Sequence, residues 1–189
     1  MNIFRFIALV ALSTLVGCID TVSIDVPTGD RVAADQLPQL VGRWTDPEMN
    51  VQEIRFTKAG NLVSGSLDWD KATQKFLATT EELDIRKIGD VYYMYINFGN
   101  DMSFFRLDLT DVDTIRMYIP APDKFRTAVD TGMLTGKVAI AKNGDFNVQI
   151  TADERFSNGI LFGADWRDFY MPDVGVLKRD SKVNASRTK

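Results

Sequence analysis

Residues 53–69 read EIRFTKAGNLVSGSLDW, and this stretch indicates the fold. Ile54 and Phe56 alternate with polar residues, a short turn-like segment follows, and a second alternating run begins at Val63. A period of two is typical of a half-buried strand, and the glycine and asparagine at the bend accept the positive φ of a tight turn. The stretch therefore predicts an antiparallel hairpin.

The same period of two continues from Val41 to about Thr151, with turn signals such as Gly89-Asp90 and Asn143-Gly144 between the runs. Parallel α/β folds show continuous apolar strands separated by long helices, and this pattern does not. We therefore predict a mainly β protein, an antiparallel meander of about nine or ten short strands that forms a barrel or a strongly curved sheet. A closing strand is expected at residues 174–177.

Two segments interrupt the alternation and predict short helices. The first is Asp123–Leu134, which follows two prolines and has apolar residues four positions apart. The second is Thr151–Phe162, which opens with a capping box in which Thr151 is the N-cap and Glu154 reaches back to its amide. Both are minor additions to a β domain.

The composition excludes several kinds of chemistry. Among 189 residues there is no histidine and one cysteine, and the net charge is -4. Catalysis by Ser-His-Asp or Cys-His groups, imidazole metal sites and internal disulfides all need residues that the chain lacks. An acidic chain also lacks the basic footprint of a nucleic-acid binder. We therefore expect no enzyme activity, no cofactor, no metal and no nucleic-acid partner.

The N-terminus has the pattern of a signal peptide. Arg5 precedes residues 6–17, which carry no charge, and the run ends in Leu15-Val16-Gly17-Cys18. The run is too short to span a bilayer easily, since a transmembrane helix needs about 20 apolar residues. The ending resembles the lipobox of bacterial lipoproteins, in which a small residue precedes a cysteine.

That resemblance implies how the chain is processed and where it resides. Residues 1–17 would be the signal peptide, and Cys18 would receive diacylglycerol and an acylated amine, which together give stable membrane anchoring. In such lipoproteins an aspartate after the lipid cysteine retains the protein in the inner membrane, and this chain has Ile19 there. We expect an anchor in the outer membrane, with the protein facing the periplasm.

The remaining chain divides into three predicted parts. Residues 18–36 contain Pro27, Gly29 and several aspartates without a regular period, which predicts a flexible tether. Residues 37–178 form the antiparallel β domain. Residues 179–189 are rich in lysine and arginine, which predicts a basic, disordered tail.

Gly42-Arg43-Trp44 resembles the Gly-x-Trp start of the first strand in lipocalin-like barrels. In that family the tryptophan plugs one end of the barrel and a late arginine packs over it, a cation–π contact. The resemblance implies this role for Trp44, with Arg167 or Arg179 as the arginine. The alternative is a tryptophan on an ordinary half-buried strand.

Tyr93, Tyr95 and Tyr118 each stand one residue from an apolar Met or Ile, so alternation predicts that they face solvent. Exposed tyrosines would offer a rigid surface for a partner, or would form a cross-strand aromatic ladder.

These features favour a non-catalytic interaction module that binds an envelope protein or polymer. The alternative function is a lipocalin-like carrier of a small apolar ligand. The predicted inward residues are mainly large, and large side chains fill a small barrel, which favours the interaction module.

Overall fold

The computed structural model describes residues 20–47, 49–70, 74–98, 101–153, 156, 166–172 and 175–180. Within these ranges, thirteen strands join one sheet and one α-helix packs against it. The elements are β1 (Thr21–Ile24), β2 (Asp30–Arg31), β3 (Gly42–Thr45), β4 (Val51–Phe56), β5 (Leu62–Asp70), β6 (Lys75–Glu82), β7 (Asp84–Ile88), β8 (Val91–Phe98), β9 (Asp101–Asp111), β10 (Thr114–Tyr118), α1 (Pro122–Asp130), β11 (Gly136–Ile140), β12 (Phe146–Ile150) and β13 (Gly175–Arg179).

The prediction of a mainly β protein with a strongly curved antiparallel sheet is confirmed. The hairpin predicted at residues 53–69 is β4 and β5, and Gly60 takes a φ of +86° in its turn. The Asn143-Gly144 turn joins β11 to β12, with Gly144 at +94°. Local alternation and turn chemistry were sufficient to predict these pairings.

The curled part of the sheet consists of two runs of paired strands, which share β10 and are joined at their other ends by the chain between β6 and β7. β13 pairs with both β3 and β10, and the path continues from β3 through β4 and β5 to β6. Only Leu83 separates β6 from β7, and β7 pairs with β8, which pairs with β9 and so leads back to β10. One bent segment, β6–β7, therefore carries the sheet from β5 to β8 and gives it a barrel-like shape.

A second arm of the sheet branches from β9. One edge of this strand holds β8, and its other edge is shared between β10 and β1. β1 then pairs with β12, and β12 with β11. The pairing of β1 with β12 is parallel, so the sheet is not a pure antiparallel meander.

The flexible tether predicted for residues 18–36 is wrong from Thr21 onward. β1 lies between β12 and β9, and Val22 and Ile24 are 7% and 1% exposed. Further along, 3-10 turns at Ala34–Gln36 and Pro38–Leu40 bring Leu37 and Leu40 into the core. A strand of four residues is too short to show a period, and its partners are distant in sequence (Met102 is 78 positions from Ile24, and Asn147 is 126 positions from Thr21), so the sequence pattern did not reveal it.

The first predicted helix is confirmed but shorter than expected. α1 starts with a proline in its first turn and ends at Asp130, after which Gly132 takes a φ of +73°. Of the second predicted helix, Thr151–Phe162, most residues lie outside the described part of the chain. Phe156, which is described, is fully buried.

At the C-terminus the expected closing strand is observed as β13. The disordered tail predicted for residues 179–189 is wrong at its start, because Arg179 belongs to β13 and the backbone amide of Asp180 donates to the carbonyl of Arg43. Residues 181–189 lie outside the described part, as do the predicted signal peptide and Cys18.

The sheet has a hydrophobic core on each of its two faces. The inner core lies inside the curl, and the outer core lies between the opposite face, the β1–β12–β11 arm and α1. The inner core contains Leu37, Leu40, Trp44, Ile54, Leu62, Leu83, Ile85, Met94, Ile96, Leu107, Ile115, Met117 and Leu177. The outer core contains Val22, Ile24, Ile88, Tyr93, Tyr95, Phe104, Phe125, Ala128, Leu134, Phe146, Val148, Ile150 and Phe156.

Candidate functional site

The prediction that Tyr93 and Tyr95 face solvent is wrong. They are 0% and 1% exposed, and both belong to the outer core. Alternation along β8 is real, since Met94 and Ile96 enter the inner core, but the opposite face is also covered. A strand that is buried on both faces usually consists of continuous apolar residues. The hydroxyl groups of the two tyrosines instead suggested that one face of the strand was in contact with solvent.

Tyr95 is a core residue with a satisfied hydroxyl. Its ring lies 6.5 Å from that of Phe104, and its hydroxyl donates to the carbonyl of Thr28 at 3.2 Å. Burial raises the pKa of Tyr95 to about 12, against the opposing effect of the hydrogen bond to Thr28. This tyrosine therefore joins the segment after β1 to β8 and offers no surface to a partner.

Tyr118 is half-buried in an aromatic cluster on the outer face of the curl. The cluster includes Trp166 and Tyr170, which come from a 3-10 turn at Trp166–Phe169 and the residue after it. The ring of Tyr118 meets Trp166 edge-on at 5.1 Å and Tyr170 at 6.4 Å, and the last two rings are 5.6 Å apart. All three contacts have the edge-to-face geometry that aromatic rings prefer.

Arg106 lies at the centre of this cluster. It stands directly between Tyr93 on β8 and Tyr118 on β10, its cross-strand neighbours. Its Cζ atom lies 3.6 Å from the centre of the Trp166 ring, and its Nη1 donates to the hydroxyl of Tyr93 at 3.2 Å. A guanidinium stacked on an indole gains a cation–π interaction and keeps its planar fork oriented.

Burial and the charge of Arg106 both affect the pKa values of the phenols near this cluster. Burial raises the pKa of Tyr93, and the neighbouring guanidinium of Arg106 partly offsets this. Tyr170 is also buried, and this burial raises its pKa well above the ordinary value. Both phenols therefore remain neutral over the physiological pH range, and Arg106 carries the charge of the cluster.

Sequence reasoning missed Arg106, Trp166 and Tyr170. The available signal was the aromatic-rich run WRDFY at residues 166–170, which belongs to no alternating strand. In the sequence, Arg106 stands between Phe105 and Leu107, where alternation predicts an ordinary residue that faces solvent. We call Arg106, Tyr118, Trp166 and the exposed Arg167 the aromatic–arginine surface; Cζ of Arg167 lies 5.4 Å from the centre of the Trp166 ring.

Trp44 is buried at one end of the curled sheet, where its Nε1 donates to the carbonyl of Leu40 at 2.8 Å. Arg179, one of the two arginines considered, lies over its ring at 4.3 Å, whereas Arg167 is near Trp166. The guanidinium of Arg179 also donates to the carbonyls of Gln39, Val41 and Val112 at 2.6–3.0 Å. Trp44 is thus a covered core residue and has no exposed face for a ligand.

A surface depression of about 340 Å³ lies between β2 and the β7–β8 turn, with Arg31, Lys87 and Tyr92 in its lining. Its cations face carboxylates: Arg31 lies 3.7 Å from Glu82, and Lys87 lies 3.4 Å from Asp90. The depression therefore has no concentrated charge to attract an ionic ligand.

The carboxylates near the β9–β10 turn serve the local backbone. Asp108 accepts from the amide and hydroxyl of Thr110, and these hydrogen bonds lower its pKa. Asp111 accepts from the amide of Asp113 at 2.9 Å. Over the described ranges, no three carboxylate or cysteine side chains gather as metal ligands would.

The described residues contain no helix that is both long and apolar enough to cross a membrane. Comparison of the chain with protein-family models, with curated proteins and with solved structures gave no match.

Proposed function

We propose that this protein is a bacterial cell-envelope lipoprotein whose β domain is a non-catalytic binding module. Acyl chains on Cys18 anchor it, and Ile19 after the cysteine favours the outer membrane with the domain in the periplasm. The support for the anchor is the lipobox that ends at the chain's single cysteine.

The observation that carries the binding role is the aromatic–arginine surface. Trp166 and Tyr118 are half-buried, so both remain partly accessible to solvent while their rings pack edge-on against each other. Tryptophan, tyrosine and arginine are the residues enriched where interfaces derive most of their energy. Packing against Arg106 holds the rings in place before binding, which lowers the entropic cost of association. The partner is an envelope protein or polymer.

The anchor is tested with Cys18→Ser. Metabolic labelling with a fatty-acid analogue should mark the wild-type protein in the membrane fraction, and the variant should carry no label. Equal labelling of the two proteins would refute the anchor.

The binding surface is tested with Trp166→Ser. Its matched control is Phe56→Ser, which removes an exposed aromatic side chain from β4, away from the aromatic–arginine surface. We expect the first variant to lose co-sedimentation with isolated cell-wall polymer and site-specific cross-links to envelope proteins, while the control keeps both. Thermal unfolding of each variant shows that the domain is still folded. Unchanged binding by folded Trp166→Ser would refute this surface.

A second candidate function, the carriage of a small apolar ligand, is favoured by the Trp44–Arg179 contact. This arrangement is the one that the lipocalin-like resemblance implies at a closed barrel end. Native mass spectrometry of gently purified protein should then detect a bound lipid. The large side chains of the inner core argue for the binding module instead.

A further inference from the structure

The chain is fixed to the sheet only two residues after Cys18. The carboxylate of Asp20 accepts from the backbone amide of Phe146 at 2.9 Å. The next residue, Thr21, begins β1, and its hydroxyl donates to the side-chain oxygen of Asn147 at 3.0 Å. The chain therefore enters the folded domain at the start of β12.

This early fixation limits how far the domain can stand from an anchor on Cys18. Successive Cα atoms are 3.8 Å apart, so the Cα atom of Cys18 lies within about 8 Å of that of Asp20. The flexible tether expected from the sequence would instead have spanned about 20–25 Å. With so short a link, acyl chains on Cys18 would hold the part of the domain beside Asp20 close to the bilayer surface.

The part beside Asp20 is the turn between β11 and β12. Because β1 and β12 are parallel, with Thr21 opposite Asn147, the start of β1 lies next to the end of that turn. Ile140, the last residue of β11, pairs with Phe146 and is 62% exposed. Adjacent strands are about 5 Å apart, so Ile140 lies roughly 10 Å from the start of β1.

The side chains at this end suit a lipid surface. An exposed isoleucine gains free energy when it leaves water for the headgroup region. Lys142 is exposed in the turn and is available to lipid phosphates, whereas the nearby guanidinium of Arg126 lies 4.7 Å from the centre of the Phe146 ring and 3.6 Å from the carboxylate of Asp130. Asp145, an acidic residue of the same turn, is engaged locally, because its carboxylate accepts a hydrogen bond from the side-chain amide of Asn143.

We infer that the β11–β12 turn, with Ile140 and Lys142, rests on the headgroup region of the bilayer that holds the acyl chains of Cys18. This inference rests on the proposed acylation of Cys18. It fixes the orientation of the domain: the β1–β12–β11 arm is at the membrane.

The experiment compares probes in two matched turns. Lys58 and Lys142 occupy the same position in turns with the same hydrogen bonds, Gly60 N to Thr57 O and Gly144 N to Ala141 O, both at 3.0 Å. The turn of Lys58 joins β4 to β5, and β4 is separated from β1 by five pairings along the sheet. Two variants are made separately, Lys142→Cys and Lys58→Cys. The new cysteine is the only free thiol in each variant, because acylation consumes the thiol of Cys18.

Each variant is produced in acylated form, labelled with an environment-sensitive fluorophore, and placed in vesicles of phosphatidylethanolamine and phosphatidylglycerol that contain a headgroup quencher. We expect a blue shift and quenching at position 142, and neither at position 58. A flexible Gly/Ser insertion between Ile19 and Asp20 should remove the difference without affecting acylation.

The outcomes separate this inference from the proposed function. If Cys18 is not acylated, both fail. If it is acylated and the two probes are quenched equally, or neither is quenched, the orientation is wrong and the anchor stands. Protection of position 142 only in intact envelopes, and not in the vesicles, would assign the turn to a protein partner and would also overturn the inference.

Discussion

Arg179 joins three parts of the chain that are far apart in sequence. Its guanidinium covers Trp44, donates to carbonyls in the 37–41 segment and the β9–β10 turn, and lies 3.1 Å from Asp113. Gly42 makes room for it, because a Cβ atom there would lie 2.7 Å from Nη1 of Arg179, and its φ of +144° also favours glycine. The Gly-x-Trp pattern thus has a physical reason in this chain.

We expect Arg179→Ala to lower the free energy of unfolding by about 2–3 kcal/mol, because it leaves carbonyls unpaired and uncovers Trp44. The control is Arg43→Ala, whose exposed ion pair with Asp180 is 3.9 Å long and contributes at most about 1 kcal/mol. Urea unfolding measures both. Equal midpoints for the two variants would contradict the role assigned to Arg179.

The buried and half-buried tyrosines should respond differently to truncation. Tyr95→Ser should lower the free energy of unfolding by about 3–5 kcal/mol, as expected for a buried aromatic residue. Tyr118→Ser removes a partly exposed ring and should cost about half as much or less. Urea unfolding followed by circular dichroism compares the two; a larger loss for Tyr118→Ser would be inconsistent with the burial of Tyr95.

Among the elements, β1 has the largest consequence for how the molecule is organised. It links β12 to β9 and so connects the β1–β12–β11 arm to the curled part of the sheet. The backbone amide of Asp25 continues this link by donating to the carbonyl of Ile150 at 3.0 Å. An N-terminal segment that resembled a linker is therefore an internal strand of the domain.

A soluble chain that begins at residue 27 should be much less stable than one that begins at residue 20. It loses the burial of Val22 and Ile24, each worth about 1.5–3 kcal/mol, and leaves unpaired edges on β9 and β12. This loss is a large part of the stability of a typical domain. Urea unfolding compares the two chains, with Thr21→Ala as a control that removes only one exposed side-chain hydrogen bond of β1. An unchanged midpoint after the deletion would show that β1 is dispensable.

At the scale of the whole molecule, one sheet separates two cores, and the outer core contains buried phenols. Burial raises the pKa of Tyr95 to about 12 and shifts those of Tyr93 and Tyr170 in the same direction. In the unfolded chain these phenols ionise at lower pH, so between the two pKa values the unfolded state binds fewer protons. The contribution to stability is complete below pH 10 and declines as the pH rises toward 12.

We therefore expect alkaline unfolding. For Tyr95 alone the loss by pH 12 is on the order of 2 kcal/mol, and the other two phenols add to it. Urea midpoints measured from pH 8 to 12 test this, together with tyrosinate absorbance. In Tyr95→Phe the decline should be smaller. A midpoint that rises with pH, or that does not change above pH 10, would contradict the burial of these phenols.

The sequence by itself determined the strands from Gly42 onward, their hairpin turns and the position of α1. A period of two and the preference of a tight turn for residues that accept a positive φ are local properties of the chain, so they can be recognised without the fold. The sequence also provided the candidates for the arginine that covers Trp44. The Gly-x-Trp motif implied a late arginine in this place, and Arg179 was one of the two considered. The lipobox and its implications depend on the sequence alone.

Only the tertiary structure decided which faces are covered. Tyr93 and Tyr95 alternate as solvated residues would, yet the β1–β12–β11 arm, α1 and the 166–170 segment bury them. The place of β1 and the meeting of Arg106 with Trp166 depend on residues that are 126 and 60 positions apart. Burial and long-range pairing are properties of the folded chain, and the local periodicity of the sequence carries no information about them.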